Sequence, residues 1–531
     1  MTTYWIRNAA PLRFVFIAFL FTFAYTYLLL INKQVTIFNS RLVAPYKSLL
    51  GIKTPAQHSW HANQLGCPVI DDSEVSESDV VVYRTPPAHI DDRFPPPDPQ
   101  RKDYREWNAR TLRELTSCLA LKNCGPNQEK IAILSAHWIE EGVVRGGFGG
   151  ESIWGVSVYN NLRALGYTSF FALEWDEVIA YYRLFPDMVK VCPPRFTSVA
   201  TLVNLYLHGQ VILRDQIGEC HLNPQCVKGP DNPSGIPAWK LFDFEYFPHP
   251  NGDFKNAGML KGKWILSACK DVENHENPDY IQYIGYSIEN SCRETPYIPL
   301  AERPNRAYIL MKELVYLYLE NFVWEVDYFE RAVRDVGIDF VGYWKLTPNW
   351  KWEHVAPEKI LDIADEEHGI RNIGPLDQKS FSMEVGKSRM MVGIGLPWWS
   401  PSPLVGLCQG VPFLNPIHEW DVEDPWNRAR WKTQHPELNV YDPPYVYHVH
   451  AKNYTGFANA LYRASVTEIP RFIPEDMTEQ AVQKRLATLM ETDWKARAAV
   501  LLAENIKKQE AGENVYVRLF FLIQYLYILN H

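Results

Sequence analysis

From residue 130 onward, short runs of consecutive apolar residues alternate with longer stretches in which apolar residues recur at helical spacing. The run Ile131–Leu134 is typical of a buried parallel strand. A glycine-rich loop follows, and then a predicted helix whose apolar positions are Trp154, Val158, Leu162 and Leu165. Gly166 ends this helix, and residues 170–173 form the next apolar run. The order of strand, glycine loop, helix and strand predicts the opening unit of a doubly wound α/β domain.

The same alternation begins again near residue 306. In chain order, the pattern predicts strand 307–311, helix 320–336, strand 339–344, strand 370–374, helix 381–387, strand 390–395, helix 403–409 and strand 411–414. Two Rossmann-like halves with a cleft between them fit these lengths. Because ligands of such sheets bind beyond the carboxyl ends of the strands, the loops that follow the strands are the predicted binding region.

The N-terminal residues 14–31 carry no charge and lie between Arg13 and Lys33. At about 1.5 Å per residue, a helix of this length crosses a bilayer core of roughly 30 Å. The alternative is a cleaved signal peptide, which usually has a shorter apolar core of about 7–15 residues and a small-residue cleavage site. Residues 28–33 offer no such site, so we expect an uncleaved transmembrane anchor. Because positive charges stand on both sides of the span, their distribution gives only a weak indication of its orientation.

The flanking composition predicts the remaining organisation. Acidic and proline-rich stretches after the anchor favour extended, solvated chain. Residues 515–531 are strongly apolar, and they either pack on the preceding domain or lie on a membrane. We therefore expect a tail (1–13), an anchor (14–31), a stem (32–125), a first Rossmann-like domain (126–300), a second one (301–475) and a C-terminal helical, apolar extension (476–531).

Charge and cysteine usage narrow the possible partners. The net charge of −9, without a concentrated basic block, argues against nucleic acid. No pair of cysteines has the C-x2-C spacing of a zinc site, so we expect no metal. Cys118 with Cys124, and Cys220 with Cys226, either close short disulfide loops in an oxidising compartment or are free buried thiols. Asn453 begins the triplet Asn-Tyr-Thr, an acceptor sequence for N-glycosylation.

Residues 392–416 form the most informative segment of the chain. A predicted strand runs into Gly393 and Gly395, where a backbone can approach a ligand closely. Ser402 or Ser400 is placed to cap the helix that follows. The free N–H groups and partial positive charge of a helix N-terminus suit a diphosphate, and binding there requires no metal.

This segment resembles the catalytic domain of glycosyltransferase family 18, the N-acetylglucosaminyltransferase V type. The matching positions are Gly393, Gly395, Pro397, Pro401, Pro403, Leu404, Gly410 and residues 413–416. Further matches stand at residues 368–370, 433–436 and 445–447, and upstream at residues 247–249 and 284–286. The resemblance covers roughly residues 130–470, patchily in the first half and well in the second.

The resemblance implies a GT-B fold, in which two Rossmann-like α/β domains face one cleft after a transmembrane helix and an extended stem. Residues 126–300 would then be the acceptor domain and residues 301–475 the donor domain. Members of this family are single-pass type II proteins of the Golgi membrane. They transfer N-acetylglucosamine from UDP-N-acetylglucosamine to O6 of an α-mannose in N-glycans, with inversion and without a metal or other cofactor. This chain has no clear Asp-x-Asp motif, in agreement with that chemistry.

The family's catalytic base is a glutamate in a Gly-Gly-x-x-Gly-Glu turn, and residues 146–151 match it. The match makes Glu151 the candidate base, with Gly147 and Gly150 on the acceptor side. Independently, an inverting transfer needs one carboxylate to take the proton of the acceptor hydroxyl. Glu151 stands at a predicted helix N-terminus, where the helix dipole favours its ionised form. The alternative is that Glu151 only caps the helix.

Donor binding is assigned by the same resemblance. The expected donor-binding residues are Gly393, Gly395, Pro401, Ser402, Pro403 and Leu404, with Lys312 as a counter-charge for the diphosphate. Val405 and Trp399 depart from the family, which has glutamates at both positions. Because Val405 cannot accept a hydrogen bond from the ribose, a different nucleotide-sugar donor and a catalytically inactive, glycan-binding relative remain alternatives. Trp398 and Trp399 either stack on the donor or close the domain interface.

Overall fold

The computed structural model describes residues 104–185, 211–248, 260–270, 280–346 and 360–511, all of which belong to one unit, Val81–His531. The predicted tail, the anchor, most of the stem and the apolar run 515–531 lie outside the described residues. Within the described ranges, no helix is long and apolar enough to span a bilayer.

The first sheet has six strands in the order β2-β1-β3-β4-β5-β6, and every pairing is parallel. Its strands are β1 Ile131–Leu134, β2 Thr168–Phe171, β3 Val211–Arg214, β4 Leu241–Glu245, β5 Ile265–Ser267 and β6 Gln282–Tyr283. Its helices are α1 Arg105–Leu121, α2 His137–Val143, α3 Gly150–Ala164, α4 Trp175–Leu184, α5 Gly218–Leu222 and α6 Glu289–Glu294. The strand order reverses between β1 and β3, which makes their carboxyl ends the switch point of this sheet.

The second sheet runs in the order β9-β8-β7-β10-β11-β13 with parallel pairing, and the short β12 pairs antiparallel with the end of β11. Its strands are β7 Arg306–Leu310, β8 Asp339–Gly342, β9 Ile370–Asn372, β10 Met390–Gly393, β11 Phe413–Glu419, β12 Lys432–Thr433 and β13 Val446–His450. The later helices are α7 Asp327–Val336, α8 Gln378–Gly386, α9 Ser402–Cys408, α10 Tyr454–Val466, α11 Glu479–Glu491 and α12 Trp494–Glu510. This strand order is that of dinucleotide-binding folds, with the switch point between β7 and β10. The prediction of two α/β halves is confirmed.

The first domain begins earlier than the sequence predicts. Helix α1 lies inside the predicted stem, yet Leu112 and Leu115 are buried against the sheet. Asn108 fixes this packing, because its side chain donates to the carbonyl of Phe171 at 2.7 Å and accepts from the N–H of Phe171 at 2.9 Å. The domain boundary at residue 126 is therefore wrong, since residues 105–121 complete the core of the first sheet.

The C-terminal extension, as far as it is described, returns to the first domain. Lys130 Nζ lies 2.7 Å from the Glu491 carboxylate of α11. The ring of Trp494 packs 4.8 Å from Phe242 and 5.2 Å from Trp264, measured between centroids. Helices α11 and α12, which follow the second domain in the chain, therefore pack on the first domain.

Three disulfides cross-link the described residues. Cys118–Cys124 and Cys220–Cys226 are both formed, so the disulfide alternative is confirmed for each pair. The third bridge, Cys292–Cys408, spans 116 positions and was not predicted. It connects α6 of the first domain to the last residue of α9 in the second.

Candidate active site

The glycine turn between α2 and α3 presents Glu151. The N–H of Gly147 donates to the carbonyl of Glu141 at 2.9 Å, which folds the turn back onto α2. Arg145 lies 3.0 Å from the buried Glu140 carboxylate and holds the other side of the turn. Glu151 is consequently in the first turn of α3 and half-buried, as its sequence pattern predicts.

Gly150 is a point of close approach between the two domains. A Cβ at Gly150 would lie 2.8 Å from Tyr246 Oη and 3.2 Å from Pro401 Cδ. Tyr246 follows β4 of the first sheet, whereas Pro401 precedes α9 of the second. The structure therefore brings the turn that carries Glu151 against the expected donor loop, and only a residue without a side chain fits there.

Trp399 belongs to the interface between the domains. Tyr246 donates its phenolic hydrogen to the Trp399 carbonyl at 2.9 Å, and the Phe247 ring lies 6.0 Å from the Trp399 ring. The Trp399 backbone has a φ of 49°, which is uncommon for a bulky residue. Of the two predicted roles, these contacts favour interface closure for Trp399. Trp398 is 50% exposed and stays available to a ligand.

Gln434 organises the loop after β10. Gly395 has a φ of 99°, and its N–H donates to Gln434 Oε1 at 2.8 Å. The Gln434 amide then donates to the Pro397 carbonyl at 3.3 Å. A Cβ on Gly393 would clash with Gln434 Oε1. The space beside Gly393 is therefore filled by the Gln434 side chain and is not open to a ligand. Sequence reasoning did not assign Gln434 a role, although it lies in the matching segment 433–436.

The start of α9 selects between the two predicted capping residues, Ser400 and Ser402. The N–H of Ser402 donates to Ser400 Oγ at 3.3 Å, whereas Pro401 occupies the cap position and provides no side-chain acceptor. Ser400 is therefore the residue that satisfies this N–H group, and Ser402 does not act as the cap.

The side chains within α9 face the core. Pro403 and Leu404 are buried, so any contact that they make with a donor uses their backbone. Val405 is 8% exposed and belongs to the apolar cluster that continues into the first domain. Its position therefore offers no polar group to a ribose.

Lys312 lies in the loop after β7, at the same sheet edge as Gly395. The side chain is exposed, and it forms no ion pair with any of the described residues. Its location at the switch point between β7 and β10 suits a counter-charge for a bound anion.

A cavity of about 250 Å³ lies at the switch point of the first sheet, and it was missed from the sequence. It is lined by polar side chains, among them Ser135, His137, Glu140, Arg214, Asp215 and Gln216. Asp215 Oδ2 accepts from the N–H of His137 at 3.3 Å, and Asp215 Oδ1 is buried without a partner among the described residues. Burial raises the pKa of Asp215 to about 6, against the opposing effects of that N–H and of Arg214. The available signal was the charged pair Arg214-Asp215 directly after the apolar run 211–213, at a strand's carboxyl end.

The groups packed beneath Glu151 are neutral. Burial raises the pKa of Tyr246, and the neighbouring Tyr286, Cys269 and Glu151 raise it further. Burial likewise raises the pKa of the Cys269 thiol. Within the described ranges, no three His, Cys, Asp or Glu side chains are grouped so that they could hold a metal ion.

Comparisons with known proteins agree with the motif. Alpha-1,6-mannosylglycoprotein 6-beta-N-acetylglucosaminyltransferase B of Homo sapiens is 26% identical over 174 residues, which is 28% of this chain and 22% of that protein. The Mus musculus protein of the same name matches with the same identity and coverage. The chain thus matches about a fifth of the length of these curated relatives.

Solved structures are similar at lower identity. The UDP-GlcNAc 2-epimerase of Methanocaldococcus jannaschii, in complex with UDP-GlcNAc and UDP, is 10% identical with a TM-score of 0.35, covering 68% of this chain and 99% of that one. Spinosyn rhamnosyltransferase SpnG, complexed with thymidine diphosphate, is 11% identical with a TM-score of 0.27, covering 71% and 95%. Because both TM-scores are low, the fold is assigned from the strand order within the two sheets alone.

The family comparison reaches the region of the expected donor loop. Residues 362–501 match the model of glycosyltransferase family 18. This range includes β10, α9, β11 and Gln434, together with the loop between β10 and α9, whose Pro401 contacts Gly150. Together with the two curated relatives, the match confirms the resemblance of this chain to glycosyltransferase family 18 that residues 392–416 indicate.

Proposed function

We propose that this protein is an inverting glycosyltransferase of the N-glycan branching kind. It moves N-acetylglucosamine from UDP-N-acetylglucosamine to O6 of an α-mannose in an N-glycan, without a metal or other cofactor. One observation carries the proposal: Gly150 packs against Pro401, which brings the turn of Glu151 to the donor loop of a segment that matches family 18. We further propose a GT-B arrangement, a lumenal catalytic region and a Golgi membrane anchor at residues 14–31.

In the proposed reaction, the Glu151 carboxylate takes the proton from O6 of the acceptor mannose. The O6 oxygen forms its bond to the anomeric carbon as the bond from that carbon to the UDP oxygen breaks. The leaving diphosphate then carries the displaced electron pair. Residues 393–404 hold UDP, and the exposed Lys312 offsets part of the diphosphate charge.

The acceptor side of the proposal uses the cavity around Asp215. A carboxylate accepts hydrogen bonds and a guanidinium donates them, so the two groups together suit hydroxyls, which do both. Arg214 is fixed at its rim, since it donates to Ser135 Oγ at 2.6 Å and also to the Leu173 carbonyl. The unpartnered Oδ1 of Asp215 remains free to accept from an acceptor hydroxyl.

We expect Asp215→Asn to raise the KM for the glycan acceptor about tenfold, because it removes one charge-assisted hydrogen bond. The wild-type acceptor KM should also rise as the pH falls below about 6, where Asp215 takes up a proton. The contribution of Asp215 to the free energy of unfolding should instead become more favourable as the pH falls. The folded-state pKa exceeds the usual 3.8, so this group favours folding at low pH and loses that contribution as the pH rises through about 6.

Steady-state kinetics and thermal melts at pH 7 check this prediction, with the exposed Asp231→Asn as the matched control. The variant's melting temperature should equal or exceed that of the wild type. An unchanged acceptor KM together with a lower melting temperature would show that Asp215 has only a structural role.

The donor is tested with the full chain, a mannose-terminated N-glycan acceptor and a panel of nucleotide sugars. We expect UDP-N-acetylglucosamine to give product at least about tenfold faster than other donors. The burial of Val405 favours one alternative, a relative with a different donor, and that alternative holds if another nucleotide sugar is preferred. If no nucleotide is released with any acceptor, the chain is an inactive, glycan-binding relative.

A further inference from the structure

A separate cavity of about 370 Å³ lies at the outer edge of the second sheet. It is bordered by β13, by α10 and by the segment 426–431, and the residues that line it include none from the first domain and none from residues 393–404. Its lining is aromatic and polar, with Trp426, Trp431, His448, His450, Asn459 and Arg463 among its members. We call it the edge pocket. It takes no part in the proposed reaction.

Trp426 forms an exposed aromatic wall of the edge pocket. The residue is 66% exposed, and its ring lies 4.8 Å from the His450 ring and 6.1 Å from the Trp431 ring. Trp431 Nε1 and His450 Nε2 bond to the same carbonyl, that of Pro425, at 2.8 Å and 2.9 Å. These bonds fix the chain next to Trp426, so little conformational entropy is lost when a ligand stacks on the ring.

His448 contributes an unused acceptor within the pocket lining. Its Nε2 lies 2.9 Å from the Tyr441 carbonyl, which can only accept, so Nε2 carries the proton. Burial lowers the pKa of His448 to about 4, and the ring is therefore neutral at physiological pH. Nδ1 is then a bare lone pair, and it is buried without a partner among the described residues. A ligand hydroxyl would satisfy it.

The one carboxylate among the described residues that line the edge pocket is already paired, so the pocket offers no free acidic group to a cationic ligand. Arg428 forms an ion pair with Asp442 and also donates to the Asn439 carbonyl at 3.0 Å. Arg463 stacks over the Tyr447 ring at 5.4 Å from its centroid. An aromatic wall, an orphan acceptor and paired polar groups match a sugar, which has apolar ring faces and many hydroxyls.

We propose that the edge pocket is a second saccharide-binding site, for a neutral hexose or N-acetylhexosamine unit of a glycan. Two sources can supply that unit, either a separate glycan or one attached to this chain at Asn453. Asn453 is exposed at the rim, and its Oδ1 accepts from the N–H of Gly456 at 2.9 Å, which leaves Nδ2 for the glycan. The site does not depend on the proposed transfer reaction, because it lies outside the cleft.

The test measures binding of N,N′-diacetylchitobiose and of mannotriose to the full chain by saturation-transfer NMR and titration. We expect one of these saccharides to bind in the edge pocket. Trp426→Ala should raise its dissociation constant about tenfold, since the variant removes the stacking wall. Val422→Ala is the matched control, because it shortens an 83% exposed side chain in the same connection between β11 and β12 but outside the pocket. Both variants should melt at the wild-type temperature.

A third variant, Thr455→Ala, separates the two sources. It destroys the glycosylation triplet while Asn453 continues to cap α10. If the added saccharide binds both the wild type and Thr455→Ala, and Trp426→Ala weakens binding in both, the natural ligand is a separate glycan. If the added saccharide binds only Thr455→Ala, the chain's own glycan occupies the pocket in the wild type. If no binding in either background depends on Trp426, the proposal is overturned, whether or not transfer activity is found.

Discussion

Glu151→Gln should reduce sugar transfer by about a hundredfold to ten-thousandfold while leaving UDP binding unchanged. The amide has nearly the shape of the carboxylate, but it cannot take the proton of the acceptor hydroxyl. Glu151 is also not among the residues expected to hold UDP, which lie within residues 393–404. Turnover is measured by UDP release with saturating donor and acceptor, and UDP affinity by titration calorimetry.

A nearby carboxylate provides the control for this experiment. Glu141 lies in α2, next to the turn, and 3.6 Å from Arg145, so Glu141→Gln removes an equal charge without touching the proposed base. We expect Glu141→Gln to keep most of the activity. If Glu151 only caps α3, its replacement by Gln costs at most about 1 kcal/mol of stability and transfer continues. Full activity of Glu151→Gln would therefore refute its role as the base.

The elements that could be predicted from sequence are those specified by local patterns. Strands β1 and β10 are continuous apolar runs, and buried parallel strands require such runs. The bridges Cys118–Cys124 and Cys220–Cys226 are local as well, because only short loops separate their partners. The turn of Gly147 and Gly150 was found because its glycines are close in sequence.

The features that were missed depend on residues far apart in the chain. The boundary at residue 126 failed because the polar composition of the preceding stretch concealed the buried Leu112 and Leu115 of α1. The interface role of Trp399 was one of two alternatives that stayed open, because it depends on Tyr246, which is 153 positions away. The Asp215 cavity forms only when β1 and β3 become neighbours in the sheet. A periodic pattern reports the neighbours of a residue along one element, and it contains no information about which element packs beside it.

The Cys292–Cys408 bridge is the most consequential of these long-range contacts. It closes a loop of 116 positions between the first domain and α9, and Arg471 reinforces the junction by donating to the Cys292 carbonyl at 2.6 Å. In the chain-entropy account, a disulfide stabilises by restricting the unfolded state, and more so when its loop is longer. We expect the double variant Cys292→Ser/Cys408→Ser to lose about 5 kcal/mol of unfolding free energy.

The matched control is Cys118→Ser/Cys124→Ser, which removes a bridge with a separation of 6. The same relation gives a loss of about 2 kcal/mol for such a short loop. Denaturant unfolding of both double variants measures the difference, and transfer kinetics at 25 °C show whether folded molecules retain the donor KM. If the bridge acts through the unfolded state, stability falls while the donor KM stays unchanged. A raised KM in folded protein would mean instead that the bridge holds α9 in position for the donor, and equal losses from the two variants would contradict the loop-length argument.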